Sequence, residues 1–198
     1  MEQEKQKTEE ELAAKIMEYA RDELMISMRF LDRALFRMPL VAADSVAAFG
    51  VDGATMYYNP GYVLHAFKKE KNACTRAFLH MILHCIFSHP FQYEKMDREC
   101  WDLATDLAVE QSILDLNLKC VELERDASLK RTLLHLEQKV PILTAEKIYR
   151  WLYENPEESA EFFQEEPQFM WDDHLKWIPL KENEAGERRN DSITTDTR

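Results

Sequence analysis

The chain has 198 residues, 45% of them hydrophobic, and a formal net charge of -12, a composition that suits one soluble domain with a real core plus a tail. That charge repels a phosphate backbone, and no Lys/Arg cluster with interleaved aromatics offers a local exception, so nucleic acid is excluded as the main partner. Only Gly50, Gly53, Gly61 and Gly186 are glycines, and the absence of G-x-G-x-x-G and G-x-x-x-x-G-K-[ST] argues against nucleotide binding.

Residues 1–11 are acidic and polar, without the apolar stretch of a secretory signal, and the expected location is cytoplasmic. From about Glu9 to Phe36, Leu12, Ile16, Tyr19, Leu24, Ile26, Met28, Leu31 and Leu35 recur at helical spacing and predict one long amphipathic helix ended by Pro39. Residues 38–50 read as irregular. Gly50-Val51-Asp52-Gly53 then turns into a β-like stretch, Ala54 to Tyr58, closed by Asn59-Pro60-Gly61, which predicts a small hairpin or edge sheet. Tyr62 to Lys68 reads as a short helix, and Lys71 to Ser88 as a buried one stopped by the pre-proline residue His89. The apolar run from Ala77 to Phe91 is too short, and too rich in histidine, to cross a bilayer.

Trp101 to Leu116 predicts a further helix, and Leu143 to Leu152 another, capped by Thr144 with Glu146 in its first turn. From Glu154 onward there are 13 acidic and 5 basic residues, which is -8 of the net -12. This predicts a domain over residues 1–178 and a polar acidic tail or linker over 179–198. Cys74, Cys85, Cys100 and Cys120 form no C-x-x-C pair and read as small buried hydrophobes, not disulfide partners.

The chemistry concentrates at His80-Met81-Ile82-Leu83-His84. Residues four apart on an α-helix share a face about 6 Å apart along the axis, so both imidazoles can reach one cation. The stretch has the spacing of H-E-x-x-H with Met81 at the glutamate position. Zinc wants three or four N, S or O donors, and the next helix offers Asp102, Asp106 and Glu110 on one face. Asp106 is the favoured third ligand, with Asp102 orienting a ligating imidazole; His89 is a rival ligand on a different bearing. Against this stands the plainer alternative that the histidines are hydrogen-bonded core residues and the carboxylates a solvated helix face. In H-E-x-x-H hydrolases the glutamate is the general base, worth about 10² to 10⁴ in rate, and Met81 cannot serve. Glu110 or Asp102 would have to replace it.

The chain resembles the predicted metal-dependent peptidases that join an N-terminal metallopeptidase domain to a C-terminal von Willebrand factor A-like domain. The likeness rests on Asp52-Gly53-Ala54-Thr55-Met56-Tyr57-Tyr58-Asn59-Pro60, on residues 79–90 around the two histidines, on Trp101-Asp102-Leu103-Ala104-Thr105-Asp106, on Leu143 to Tyr149 and on Asp172-Asp173-His174-Leu175-Lys176-Trp177. The resemblance implies an α+β, mainly α-helical, zincin-like domain with a small β hairpin or sheet, in which His80, His84 and Asp106 match the metal positions and zinc is the cofactor. It also implies, by analogy, partnership with an AAA+ ATPase or a von Willebrand factor A-like domain. Met81 departs from the pattern, so the expectation is a metal-binding domain with little or no peptidase activity. The competing expectation is a metal-free interaction scaffold that docks a partner through the acidic residues from Glu154 to Asp173. A working hydrolase with a substitute base ranks last.

Overall fold

The computed structural model describes residues 2–92, 96–165 and 169–177, and the tail expected over 179–198 lies outside them. The order is α1 (Glu2–Ser27), α2 (Asp32–Arg37), β1 (Leu40–Ala42), β2 (Phe49–Val51), β3 (Met56–Tyr58), α3 (Pro60–Lys69), α4 (Ala73–Ile86), α5 (Arg98–Leu116), α6 (Asp126–Glu137), α7 (Ala145–Glu154) and α8 (Pro156–Glu165). The fold is α+β and mainly helical. No helix among the described residues is long and apolar enough to cross a membrane.

The long N-terminal helix expected from the apolar spacing is two helices. Met28 adopts φ -134°, ψ 62°, and a 3-10 turn over Arg29–Leu31 leads into α2. A straight continuation would carry Leu35 about 10 Å beyond Met28 along the axis, past the core. The break returns Leu35 to full burial and leaves Ile26 and Phe30, which flank it, 74% and 77% exposed.

Residues 38–50 are not wholly irregular, because β1 and β2 fall within or across them. Strand β3 lies centrally, parallel to β1 and antiparallel to β2, so the element is a three-stranded sheet with a crossover. A single hairpin would lack β1. Asp52 shapes the β2–β3 turn by accepting from the backbone N–H of Ala54 and Thr55, and Gly53 takes φ +89° there, a conformation that costs glycine nothing.

Helix α3 starts on Asn59, whose side chain accepts from Tyr62 N, with Pro60 in the first turn. Helix α4 is buried from Ala73 through His84, which is why it is apolar around its circumference apart from the Arg76, His80 and His84 side that meets α5. It packs against α1, α3 and α5. Ser88, at φ 63°, ends the turn after α4 and hands the chain to a 3-10 segment at His89–Phe91. Asp97 caps α5 by accepting from Cys100 N. Thr144 does occupy the cap position of α7, but its side chain accepts no hydrogen bond there, and the N–H groups of Lys147 and Ile148 bond to its carbonyl instead. Helices α6 and α8, unforeseen in the sequence, bury Leu129, Leu133 and Leu136, and Phe162, respectively. All four cysteines carry free thiols.

After α8, residues 169–177 return across the sheet end. Asp172 bridges in parallel to Phe49, and Asp173 N donates to Phe49 O at 2.8 Å, so this strap lines the edge of β2. Phe169, Trp171 and Trp177 anchor it in the core. The strap thereby meets α4 and α5 where their polar side chains converge.

Candidate metal centre

Helices α4 and α5 bring His80, His84, Asp106 and Glu110 together, and all four are buried. The imidazole nitrogens His80 Nε2 and His84 Nε2 lie 2.8 Å apart. Asp106 Oδ1 sits 3.2 Å from each of them. Asp172 Oδ1, from the strap, is 3.6 Å from His80 Nε2 and 3.9 Å from His84 Nε2. One donor atom from each of these four residues lies within 4.8 Å of the other three.

These spacings suit a cation. Zinc bonds of 2.0–2.1 Å in a tetrahedron separate neighbouring donors by about 3.3 Å, and the measured separations straddle that value. Among the described residues, both carboxylate oxygens of Asp172, Oδ1 of Asp102 and Nε2 of His174 are buried and make no well-formed hydrogen bond, although His174 Nε2 faces Asp106 and Asp172 at 3.2 and 3.3 Å, a state that a metal ion would relieve. The donor set, two imidazoles and two carboxylates, is one that divalent zinc accepts.

Each ring also has a partner behind it. Glu110 Oε1 is 2.8 Å from His80 Nδ1, so the carboxylate accepts from that nitrogen and turns Nε2 toward the cluster. His89 Nδ1 stands 3.0 Å from His84 Nδ1. Burial, reinforced by His84, holds His89 down to about 3, so His89 is neutral; with His84 Nε2 turned to a cation, its Nδ1 would carry the proton and donate to His89. Asp102 Oδ1 is 3.0 Å from His174 Nδ1, while His174 Nε2 faces Asp106 and Asp172 at 3.2 and 3.3 Å. Such outer partners fix the tautomer and direction of ligating histidines.

Electrostatics favour positive charge at the centre. Burial opposes protonation of His80, yet Asp106 and Glu110 raise it to about 9. His174, also buried, is raised well above the usual histidine range by Asp106 and Asp172. Burial would raise Glu110, but His80 and Arg76 together hold it at about 2. Arg76 Nη2 meets Glu110 Oε2 at 2.5 Å, and Trp171 Nε1 donates to Oε1. The buried carboxylates thus favour positive charge at this point of the chain, on His80 and His174 or on a metal ion.

Asp102 and His89, expected as an orienting partner and a rival ligand, both stand behind imidazoles in the structure. Asp102 orients His174, not His80 or His84, because Asp102 sits one turn nearer the start of α5 than Asp106 and faces the strap. His89 lies behind His84 as its hydrogen-bond partner, outside the four-donor group. The carboxylate face of α5 is not a solvated one, since Asp106 and Glu110 are buried. Cys85 stays apart from the group, its thiol pushed up to about 12 by burial. Sequence spacing had no means of finding Asp172 or His174 as partners of the histidine pair. Their only local signal is the density of Trp, Asp and His between Trp171 and Trp177 in an otherwise acidic, polar stretch.

Fold and site together define a mainly helical domain built around a buried histidine–carboxylate cluster that can hold a metal ion. The chain belongs to the family described as "Putative metallopeptidase domain", whose profile matches residues 13–197. No curated protein and no solved structure matches it.

Proposed function

We propose that this domain binds one divalent ion, zinc by its donor set, through His80 and His84 with Asp106, and that it has lost efficient peptidase chemistry. The reading rests on the convergence of four buried donors backed by Glu110 and His89. When bound, such an ion supplies Lewis acidity and can activate water near neutral pH. The residues of this chain hold the ion, set the imidazole tautomers and balance its charge. They do not offer the missing proton acceptor in the usual place, because Met81 is fully buried among apolar side chains.

Neither substitute base considered from the sequence is free for that task. Glu110 is committed to Arg76, His80 and Trp171, and Asp102 to His174. The zincin-like comparison extends to the helix-borne histidine pair and its carboxylate, and the domain is read as a pseudoenzyme of that type. Elemental analysis of untagged protein, beside the His80→Ala/His84→Ala double variant, tests the metal. About one zinc per chain, lost in the variant while the circular dichroism is retained, supports the proposal. No metal in either protein after zinc is offered overturns it and leaves the metal-free scaffold.

A further inference from the structure

We infer that Asp172 is a fourth ligand that closes the coordination sphere, so that the ion fastens the 169–177 strap onto helices α4 and α5 instead of facing substrate. This rests on the metal reading above. Catalytic zinc sites use three protein ligands and keep a position for water, whereas structural sites fill all four with protein. The position that a hydrolase would leave open is the one Asp172 approaches.

Three observations carry the inference. The Asp172 side chain is fully buried, and among the described residues neither oxygen makes a well-formed hydrogen bond, although Oδ1 lies within 4 Å of both histidine Nε2 atoms and 3.3 Å from His174 Nε2. A carboxylate desolvated in that way needs compensating positive charge, which the His174 imidazole offers at 3.3 Å and a metal ion would supply by direct ligation. Secondly, a cleft of about 440 Å³ reaches Asp106, Asp172 and His174, but its lining includes neither His80 nor His84. The strap therefore stands between the cleft and the histidine pair. Thirdly, the strap is held by the bridge and the Asp173 N–Phe49 O bond to β2, by the Trp171 indole on Glu110, by Lys176 Nζ on Ser45 Oγ and by the core burial of Phe169, Trp171 and Trp177, and these contacts seat Asp172 against the histidine pair without satisfying its carboxylate. Stacking of His174 on Trp177, with ring centroids 3.8 Å apart, keeps the imidazole against the two aspartates. Metal ligation by Asp172 would join this segment to the domain core at the point where its polar groups are least satisfied.

The test compares wild type with Asp172→Asn, which keeps the side chain's shape, and with Asp173→Asn, whose wild-type carboxylate accepts from Leu175 N within the strap and is not among the grouped donors. Zinc affinity is measured by competition with a chromophoric chelator, cobalt substitution reports coordination number by visible absorption, and trypsin reports exposure of Lys176. Support is a zinc affinity weakened roughly tenfold or more in Asp172→Asn, a lower cobalt absorption, and loss of the metal's protection of Lys176, with Asp173→Asn unchanged. Should Asp172→Asn bind zinc as tightly as wild type with an unaltered cobalt spectrum, the closed centre is wrong while the reading through His80, His84 and Asp106 stands. Failure of wild type to take up either metal removes both. Circular dichroism of each variant establishes that it is folded before these comparisons are made.

Discussion

Glu110 and His80 are joined across two helices, with Oε1 of the carboxylate 2.8 Å from Nδ1 of the imidazole. The same carboxylate receives Arg76, also fully buried, so one side chain both aims a histidine and neutralises a guanidinium. Glu110→Gln is therefore expected to act twice. Leaving Arg76 with Asp126 alone, 3.7 Å away, as its anion should cost up to about 3–5 kcal/mol of stability, and losing the orienting carboxylate should weaken metal binding about 10–100-fold. Urea unfolding of the metal-free protein reads the first effect and chelator competition the second. A variant that loses stability but keeps its metal affinity would restrict Glu110 to partnering Arg76.

Removing the metal should lower stability by an amount that depends on its free concentration. For a site that only the folded chain possesses, an ion at about 1,000 times its dissociation constant contributes about 4 kcal/mol. The melting temperature should rise steadily with added zinc and fall in chelator. In the His80→Ala/His84→Ala variant it should be insensitive to both. A wild-type melting curve unmoved by zinc, in protein shown to contain it, would mean the ion binds the unfolded chain equally well.

Legibility in the sequence followed distance along the chain. The pair His80 and His84, and the stripe Asp102, Asp106 and Glu110, were readable because each sits on one helix, where spacing dictates facing. Helix α4 was readable from its apolar run, interrupted only by histidines at helical spacing. Asp172 and His174 were not readable as site members, since nothing local records that a strap far down the chain returns to β2. The break at Met28 was hidden for a related reason: the 3.6-residue period continues through it, and only the need to bury Leu35 while leaving Phe30 outside reveals the bend. Strand β1 was missed because its residues are half-buried or exposed and its partner β3 follows only after a crossover.

Restoring the missing glutamate should not restore hydrolysis. Met81 is fully buried in the apolar core, and a carboxylate placed there loses its hydration and should cost several kcal/mol by the general penalty for burying polar groups. Met81→Glu is expected to unfold at lower urea concentration and to show no zinc-dependent cleavage of an unstructured polypeptide. Cleavage that appears with Met81→Glu and vanishes with a further His84→Ala change would show that the glutamate alone was lacking.

Gly53 offers a test of the turn that places the sheet beneath the strap. Its φ of +89° lies where an L-residue is strained, and a Cβ built there would come 3.0 Å from Phe91 Cζ. Phe91 is 71% exposed, so its ring can swing away and the contact adds little. The backbone conformation therefore sets most of the cost. Gly53→Ala should destabilise the domain by about 1–2 kcal/mol, and Gly53→Asn by less, because asparagine tolerates positive φ better. Phe91→Ala combined with Gly53→Ala should recover almost none of the loss, and equilibrium urea unfolding of wild type and these variants measures this. Substantial recovery in the double variant would mean that the ring clash, not the dihedral angle, requires glycine at this position.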